Sequence, residues 1–408
     1  MDHFLLPNPV GGGHAMICRG AHRLWSSLFI AMILMWTSYP VAGAEKVIKY
    51  GIATPLSGPA APWGIPHVRA AEMVFEEVNN NGGIDIGGQR YKLEIVSYDH
   101  KYIIAEGVAT VNRLLYRDEV QYVSVLGGAV VKAVEDIIRE GKVLCLTLAY
   151  AEGLVSPKNP LQFSVFPMPP ETTAGWIWVK EQYPQVKRVA SLTPNDDTGW
   201  WSIKISNNVA QQQGFEVVAK EFFERGVTDF APTLLRMLAA KPDIIDLTAT
   251  PAGSTGLIVK QARELGYKGR FIHLGQQNMS VVAGIAGKEA VEGFIVHGFV
   301  EEPLPDKVRN WIARYEKKYG PPFDPTTIDF SFGPMAFVAG LKAANSTDPA
   351  KIADALRKAE FEVLWGKARF GGKDYYGIGN QILYPMPLAE MRHGVAVQVT
   401  LMQAPHQQ

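Results

Sequence analysis

The chain has 408 residues, 47% of them hydrophobic, with 40 basic and 40 acidic side chains. Such a balance offers no field for a nucleic acid, and the length exceeds one typical domain and points to two lobes. The first segment, residues 1–44, reads as a secretory signal peptide. Arg19 and Arg23 precede the apolar run Leu28 to Trp36, and Val41-Ala42-Gly43-Ala44 supplies small residues for cleavage after Ala44. That run is well short of the roughly 20 residues needed to span a bilayer, so no stable membrane insertion is expected. Residues 1–15 add no basic side chain, which leaves Met16 open as the start. Cys18 departs with the signal, so Cys145 is the only mature cysteine and no intrachain disulfide or lipid anchor is expected. Its setting, Val143-Leu144-Cys145-Leu146, reads as a buried strand with an inert thiol.

Strands and helices then alternate. Val47 to Ala53 is short, apolar and β-branched, a buried strand. Leu56 to Pro66 is rich in Pro and Gly and reads as a loop carrying one large ring, Trp63. Val68, Ala71, Met73, Val74, Phe75 and Val78 follow at helical spacing. Next come strands at Tyr91 to Tyr98, Val120 to Leu126 and Val143 to Leu148, with helices at Ile103 to Tyr116 and Val130 to Glu140 between them. The order predicts parallel pairing with crossover helices. Leu161 to Phe166 ends in a Pro-rich passage, after which the pattern restarts. Strands are expected at Arg188 to Leu192, Phe215 to Phe222, Ile244 to Thr248, Phe271 to Leu274 and Gly293 to Phe299. Helices are expected at Glu171 to Gln182, Gly199 to Gln213, Phe230 to Ala239 and Ser254 to Leu265. Pro303 and Pro305 mark a second passage, followed by helices at Asp306 to Tyr319, Thr326 to Ala344 and Pro349 to Lys358.

Several spaced runs carry a family resemblance. Tyr50 to Gly58, Ala70-Ala71-Glu72 and Val78 to Ile84 together resemble the opening of the branched-chain amino acid binding proteins, type I periplasmic solute-binding proteins of ABC transporters. The order of segments matches to about Gln381. The resemblance implies a two-lobed α/β fold, each lobe a mostly parallel sheet flanked by helices, joined by a three-strand hinge. Lobe 1 would hold residues 45–166 and 300–378, lobe 2 residues 167–299 and 379–408. It also implies a periplasmic monomer that takes a small-molecule ligand, needs no cofactor, and delivers its closed form to a membrane ABC permease. A sensor that hands its closed form to a receptor is the alternative.

Open parallel sheets bind ligands outside the carboxyl ends of their strands. In lobe 1 the candidates are Trp63, the Gly127-Gly128 turn with Ala129, and Tyr150 with Ala151. Gly127 and Gly128 precede a helix, where free N–H groups can hold a carboxylate or carbonyl; a tight turn is the equal alternative. Tyr150 is also open to a plain reading as a core ring. In lobe 2 they are Thr198, Trp200, Thr250 and Gln276, with either Trp200 or Trp201 turned to the cleft and Asp197 or Thr198 capping the helix. Amino acid binders of the family are expected to add hydroxyls where Ala129, Val130 and Ala151 stand, and an acid near Gln276 for the ligand's ammonium. Their absence points to an aromatic or apolar carboxylate rather than a free amino acid.

Enzymatic readings find no footing. No dinucleotide fingerprint follows the first strand, no phosphate loop appears, and no serine sits in a nucleophile elbow. His67, His100, His273 and His297 lack metal-ligand spacing.

Overall fold

The computed structural model describes residues 46–58, 60–166 and 168–402; the expected signal segment lies outside them. Among the described residues, the first strands are β1 (Lys46–Thr54), β2 (Ile84–Ile86), β3 (Gln89–Asp99), β4 (Tyr122–Leu126), β5 (Leu144–Leu148) and β6 (Gln162–Ser164). They are followed by β7 (Arg188–Pro194), β8 (Glu216–Phe223), β9 (Ile244–Asp246), β10 (Arg270–Gln276) and β11 (Ile295–His297). Last come β12 (Glu360–Val363), β13 (Gly366–Gly371), β14 (Gln381–Leu383), β15 (Met386–Arg392) and β16 (Val395–Met402).

Two sheets result. One has the order β12-β13-β14-β6-β5-β4-β1-β3-β2, the other β16-β15-β11-β10-β9-β7-β8. Pairing is parallel through the centre of each, from β3 to β14 in the first and from β8 to β11 in the second. Every residue of β4 and β5 is buried, as a parallel sheet covered on both faces requires. This is the two-lobed α/β architecture expected. The last exchange between sheets falls between Leu383 and Met386, a few residues beyond the Gly379 drawn from the sequence. The antiparallel hairpin β12/β13 was not anticipated; its only local sign is the short alternation of exposed and buried residues in Glu360–Val363.

The helices that matter for the site are α1 (Ala61–Asn80), α2 (Ile104–Tyr116), α3 (Gly128–Glu140), α4 (Met168–Gln182) and α5 (Asp197–Gln212). Here α1 departs from expectation, since the stretch taken as loop to Pro66 is helical from Ala61. Pro62 sits in the first turn, where a missing N–H costs nothing, and Pro66 gives up a single early hydrogen bond. Gly64 makes the early start feasible: a Cβ there would lie 1.7 Å from the Pro55 carbonyl oxygen, so only glycine lets the helix rest on the end of β1. In the second lobe Gly199 is the counterpart, its Cβ position 1.9 Å from the Pro194 carbonyl at the end of β7.

Candidate functional site

The carboxyl ends of both sets of strands meet around a narrow, mostly apolar cavity. Lobe 1 contributes Trp63, Tyr102, Leu126, Gly127, Gly128, Leu148, Ala149 and Tyr150, and lobe 2 contributes Thr198, Ala249, Thr250, His273 and Gln276; Phe166 and Phe330 complete the wall. Seven of the ten residues expected from the sequence therefore come together. Ala129, Ala151 and Trp200 are not among those lining it.

Each departure has a local cause. Asp196, rather than Asp197 or Thr198, caps α5, its carboxylate accepting from Gly199 N–H at 3.0 Å. With the helix so placed, Trp200 points outward, 49% exposed, and its indole N–H donates to Asn195 Oδ1 at 2.9 Å. Trp201 is the inward ring, half-buried with its centroid 6.5 Å from that of Tyr150, because consecutive helical residues differ by about 100°. Ala151 is buried instead in the packing around β5, and Ala129, in the first turn of α3, is partly exposed.

The expectation of a free N–H group at Gly127 needs correction. Gly127 N–H donates to the Leu148 carbonyl at 3.1 Å, holding β4 to β5. Gly128 lies beside the Tyr102–Thr198 hydroxyl pair, with Thr198 Oγ1 2.9 Å from where a Gly128 Cβ would be. Gly127 has φ +103°, and the Tyr102 ring lies 2.7 Å from where its Cβ would be. Glycine is required there on both counts.

Rings form two walls. Tyr150, Phe166 and Phe330 follow one another with centroids 5.0 and 5.7 Å apart, spacings at which aromatic pairs attract. Opposite them, Trp63 and Tyr102 lie 6.1 Å apart, and the Arg225 guanidinium from the loop after β8 stands 5.4 and 4.9 Å from their ring centres. Arg225 Nε donates to Asp196 Oδ2 at 2.6 Å, so the residue that caps α5 also holds this cation against the other lobe.

Polar groups are few and mostly committed. Tyr150 donates to Gln276 Oε1 across the cleft at 3.3 Å, while Gln276 Nε2 is buried without a protein partner. Thr250 donates to the Leu192 carbonyl at 3.1 Å. His273 is buried, which lowers its pKa to about 4 and keeps the imidazole neutral. No Asp or Glu is among the described residues lining the cavity. Asp329 is buried behind Gly298, with Oδ1 accepting from the Trp365 indole at 3.2 Å, and is not one of them. Nor do the described residues include a His, Cys, Asp and Glu group able to hold a metal.

Eight of the fifteen lining residues are not among the ten named from the sequence, four of them with ring side chains. Tyr102 lies just past the Tyr98-Asp99-His100 loop, and Phe166 at the first passage between lobes, so both had a positional signal. Phe330 and His273 had none; one sits in a short helix (Thr326–Phe330), the other inside β10.

A family model described as periplasmic binding protein matches residues 47–394. The leucine-, isoleucine-, valine-, threonine- and alanine-binding protein of Pseudomonas aeruginosa is 26% identical over 364 residues, covering 87% of this chain and 93% of that one. Among solved structures, the branched-chain amino acid transporter substrate binding protein from Streptococcus pneumoniae in complex with isoleucine superposes with a TM-score of 0.71 at 21% identity, over 87% of this chain and 99% of that one. An ABC transporter solute binding protein from R. palustris in complex with benzoate gives a TM-score of 0.72 at 18% identity, over 88% and 97%. At such identities the two structures speak for the fold.

Proposed function

The chain belongs to the periplasmic binding protein family, solute-binding proteins rather than enzymes, and from that premise we propose that its two lobes close over a small, flat, aromatic or apolar carboxylate and present the closed form to a membrane ABC permease. What carries this reading is the cavity wall. Five aromatic side chains, Trp63, Tyr102, Tyr150, Phe166 and Phe330, face a space in which Gln276 Nε2 is a buried donor without a protein partner. A buried donor left unpaired costs about 1–3 kcal/mol, and a carboxylate oxygen would remove that cost. An ammonium group would find no acidic partner among the described lining residues and would be desolvated without compensation.

The P. aeruginosa relative is named for five amino acids, none of them aromatic, so the experiment must separate those ligands from acids without an ammonium group. Calorimetric titration and thermal shift are expected to show stabilisation by benzoate or a related aromatic acid and none by leucine, isoleucine or valine. Trp63→Ala should weaken the aromatic acid about tenfold, the equivalent of ~1.4 kcal/mol of lost ring contact. Gln276→Glu should weaken it further by setting like charges together. Micromolar binding of leucine by the unaltered protein would refute the ligand class.

A further inference from the structure

The loop after β3 is built to hold one side chain in an unusual place. Lys101 and Tyr102 are consecutive non-glycine residues with φ +54° and +61°, a left-handed conformation that side chains rarely adopt. Two side chains fix it. Asp99 Oδ1 accepts from Lys101 N–H at 2.8 Å and from Leu56 N–H at 2.8 Å, while its Oδ2 accepts from Ser57 at 2.5 Å. His100 Nδ1 accepts from Tyr102 N–H at 3.0 Å, which places its proton on Nε2, donating to the Leu126 carbonyl at 3.1 Å. The loop is thereby tied to the β1 loop on one side and to the end of β4 on the other.

So held, the Tyr102 ring covers Gly127 and brings its hydroxyl beside Gly128 at the amino end of α3, where Thr198 Oγ1 stands 2.9 Å from the position of a Gly128 Cβ. The same hydroxyl lies 3.1 Å from Thr198 Oγ1 in the opposite lobe. A helix amino end facing a hydroxyl across a cleft is where a ligand's carboxylate would gain most, since N–H groups and the helix dipole both favour negative charge there. A neutral phenol takes that place.

We propose that Tyr102 is the specificity-determining residue of the cleft: its hydroxyl occupies the amino end of α3 and bridges to Thr198 in place of a ligand carboxylate, so that an acid must be read at the Gln276 end instead. This deepens the reading of the cleft as a ligand site and rests on it. The consequence is a site that rejects ligands whose carboxylate has to sit beside Gly128, whatever their side chain.

The test compares 4-methylpentanoate, an aliphatic monocarboxylate without an ammonium group, across variants by calorimetry. Tyr102→Gly removes the ring and suits the positive φ, so the fold should persist, as circular dichroism would show; Tyr102→Ala serves if it does not. The variant should bind 4-methylpentanoate about tenfold tighter than the unaltered protein, the size of one charge-assisted hydrogen bond, and the gain should vanish when Thr198→Val is added. A folded variant with no gain, or a gain indifferent to Thr198→Val, overturns the proposal. So does a tenfold loss of 4-methylpentanoate binding on Thr198→Val alone, which would mean that Tyr102 already yields its place. Benzoate titrated into the unaltered protein reads the ligand class separately. Its failure to bind, with other aromatic acids, would refute that class and leave the variant comparison standing.

Discussion

Ser124 donates its hydroxyl proton to the Leu146 carbonyl at 2.9 Å and therefore accepts from His67 Nε2 at 2.8 Å; His67 Nδ1 in turn faces Thr54 Oγ1 at 3.1 Å. The imidazole is neutral and fully buried, and burial, with a smaller contribution from His100, lowers its pKa to about 3. His100 is lowered and His273 falls to about 4, again mainly through burial. Groups whose folded pKa is depressed leave the unfolded chain binding protons that the native state does not, so stability falls as pH drops below the unfolded value near 6.5. The expected outcome is a melting temperature that declines between about pH 6.5 and 4. His67→Gln should be less stable at pH 7 but show a shallower decline over that window in a thermal-denaturation series. An equal slope in variant and parent would remove His67 from the account. From the sequence these histidines were legible only as poor metal ligands, because burial is a property of the assembled sheets.

At the scale of elements, the two lobes repeat one device. A strand ends at or just before a proline, and the following helix carries a glycine in its opening turns that sits against that proline's carbonyl, Gly64 over Pro55 and Gly199 over Pro194. The contact sets how far each helix leans over its sheet, and thus where Trp63 and Thr198 stand in the cleft. A methyl group at either position would meet backbone oxygen at less than 2 Å, which a side-chain rotation cannot relieve. Gly64→Ala and Gly199→Ala should each cost about 1–3 kcal/mol or more, read as a drop in melting temperature, whereas Gly253→Ala in the helix Ala252–Glu264, where nothing lies within 4 Å, should be neutral or mildly stabilising. The strand, loop and helix order was readable from periodicity. The true start of α1 was not, since Pro62 and Pro66 look like breakers until the contact that accommodates them is known. The one-residue difference in the cap of α5 likewise decides which tryptophan turns inward.

Across the whole molecule, contacts between the lobes surround the cavity. Tyr102 meets Thr198, Tyr150 meets Gln276, Arg225 covers Trp63 and Tyr102, and Lys204 pairs with Glu152 at 2.6 Å. The last pair is exposed on both sides, 53% and 69% by side chain, and such pairs contribute little. Arg225, held by Asp196 and sandwiched with rings, should contribute more; cation–π contacts are worth about 0.5–2 kcal/mol. If lobe closure follows the hinge motion of two-domain binding proteins, Arg225→Ala should shift the population toward open forms and enlarge the radius of gyration in small-angle scattering, with added ligand reducing it again. Identical profiles for parent and variant, with and without a bound acid, would count against closure by this route.

The sequence by itself determined the alternation that makes two parallel sheets and the family resemblance, and it named seven of the residues that line the cavity, because strand period, helix period and breaker residues are local properties and the loops after parallel strands gather at one end of a sheet. Only the tertiary structure decided which groups in those loops are still available. Gly127 N–H is spent on Leu148, the Tyr102 ring covers Gly127, Trp200 turns outward while Trp201 turns in, Phe166 arrives from the first passage between lobes and Phe330 from the short helix Thr326–Phe330. Hydrogen-bond partners and the facing of a ring depend on residues far apart in the chain, and no local pattern records where those residues meet.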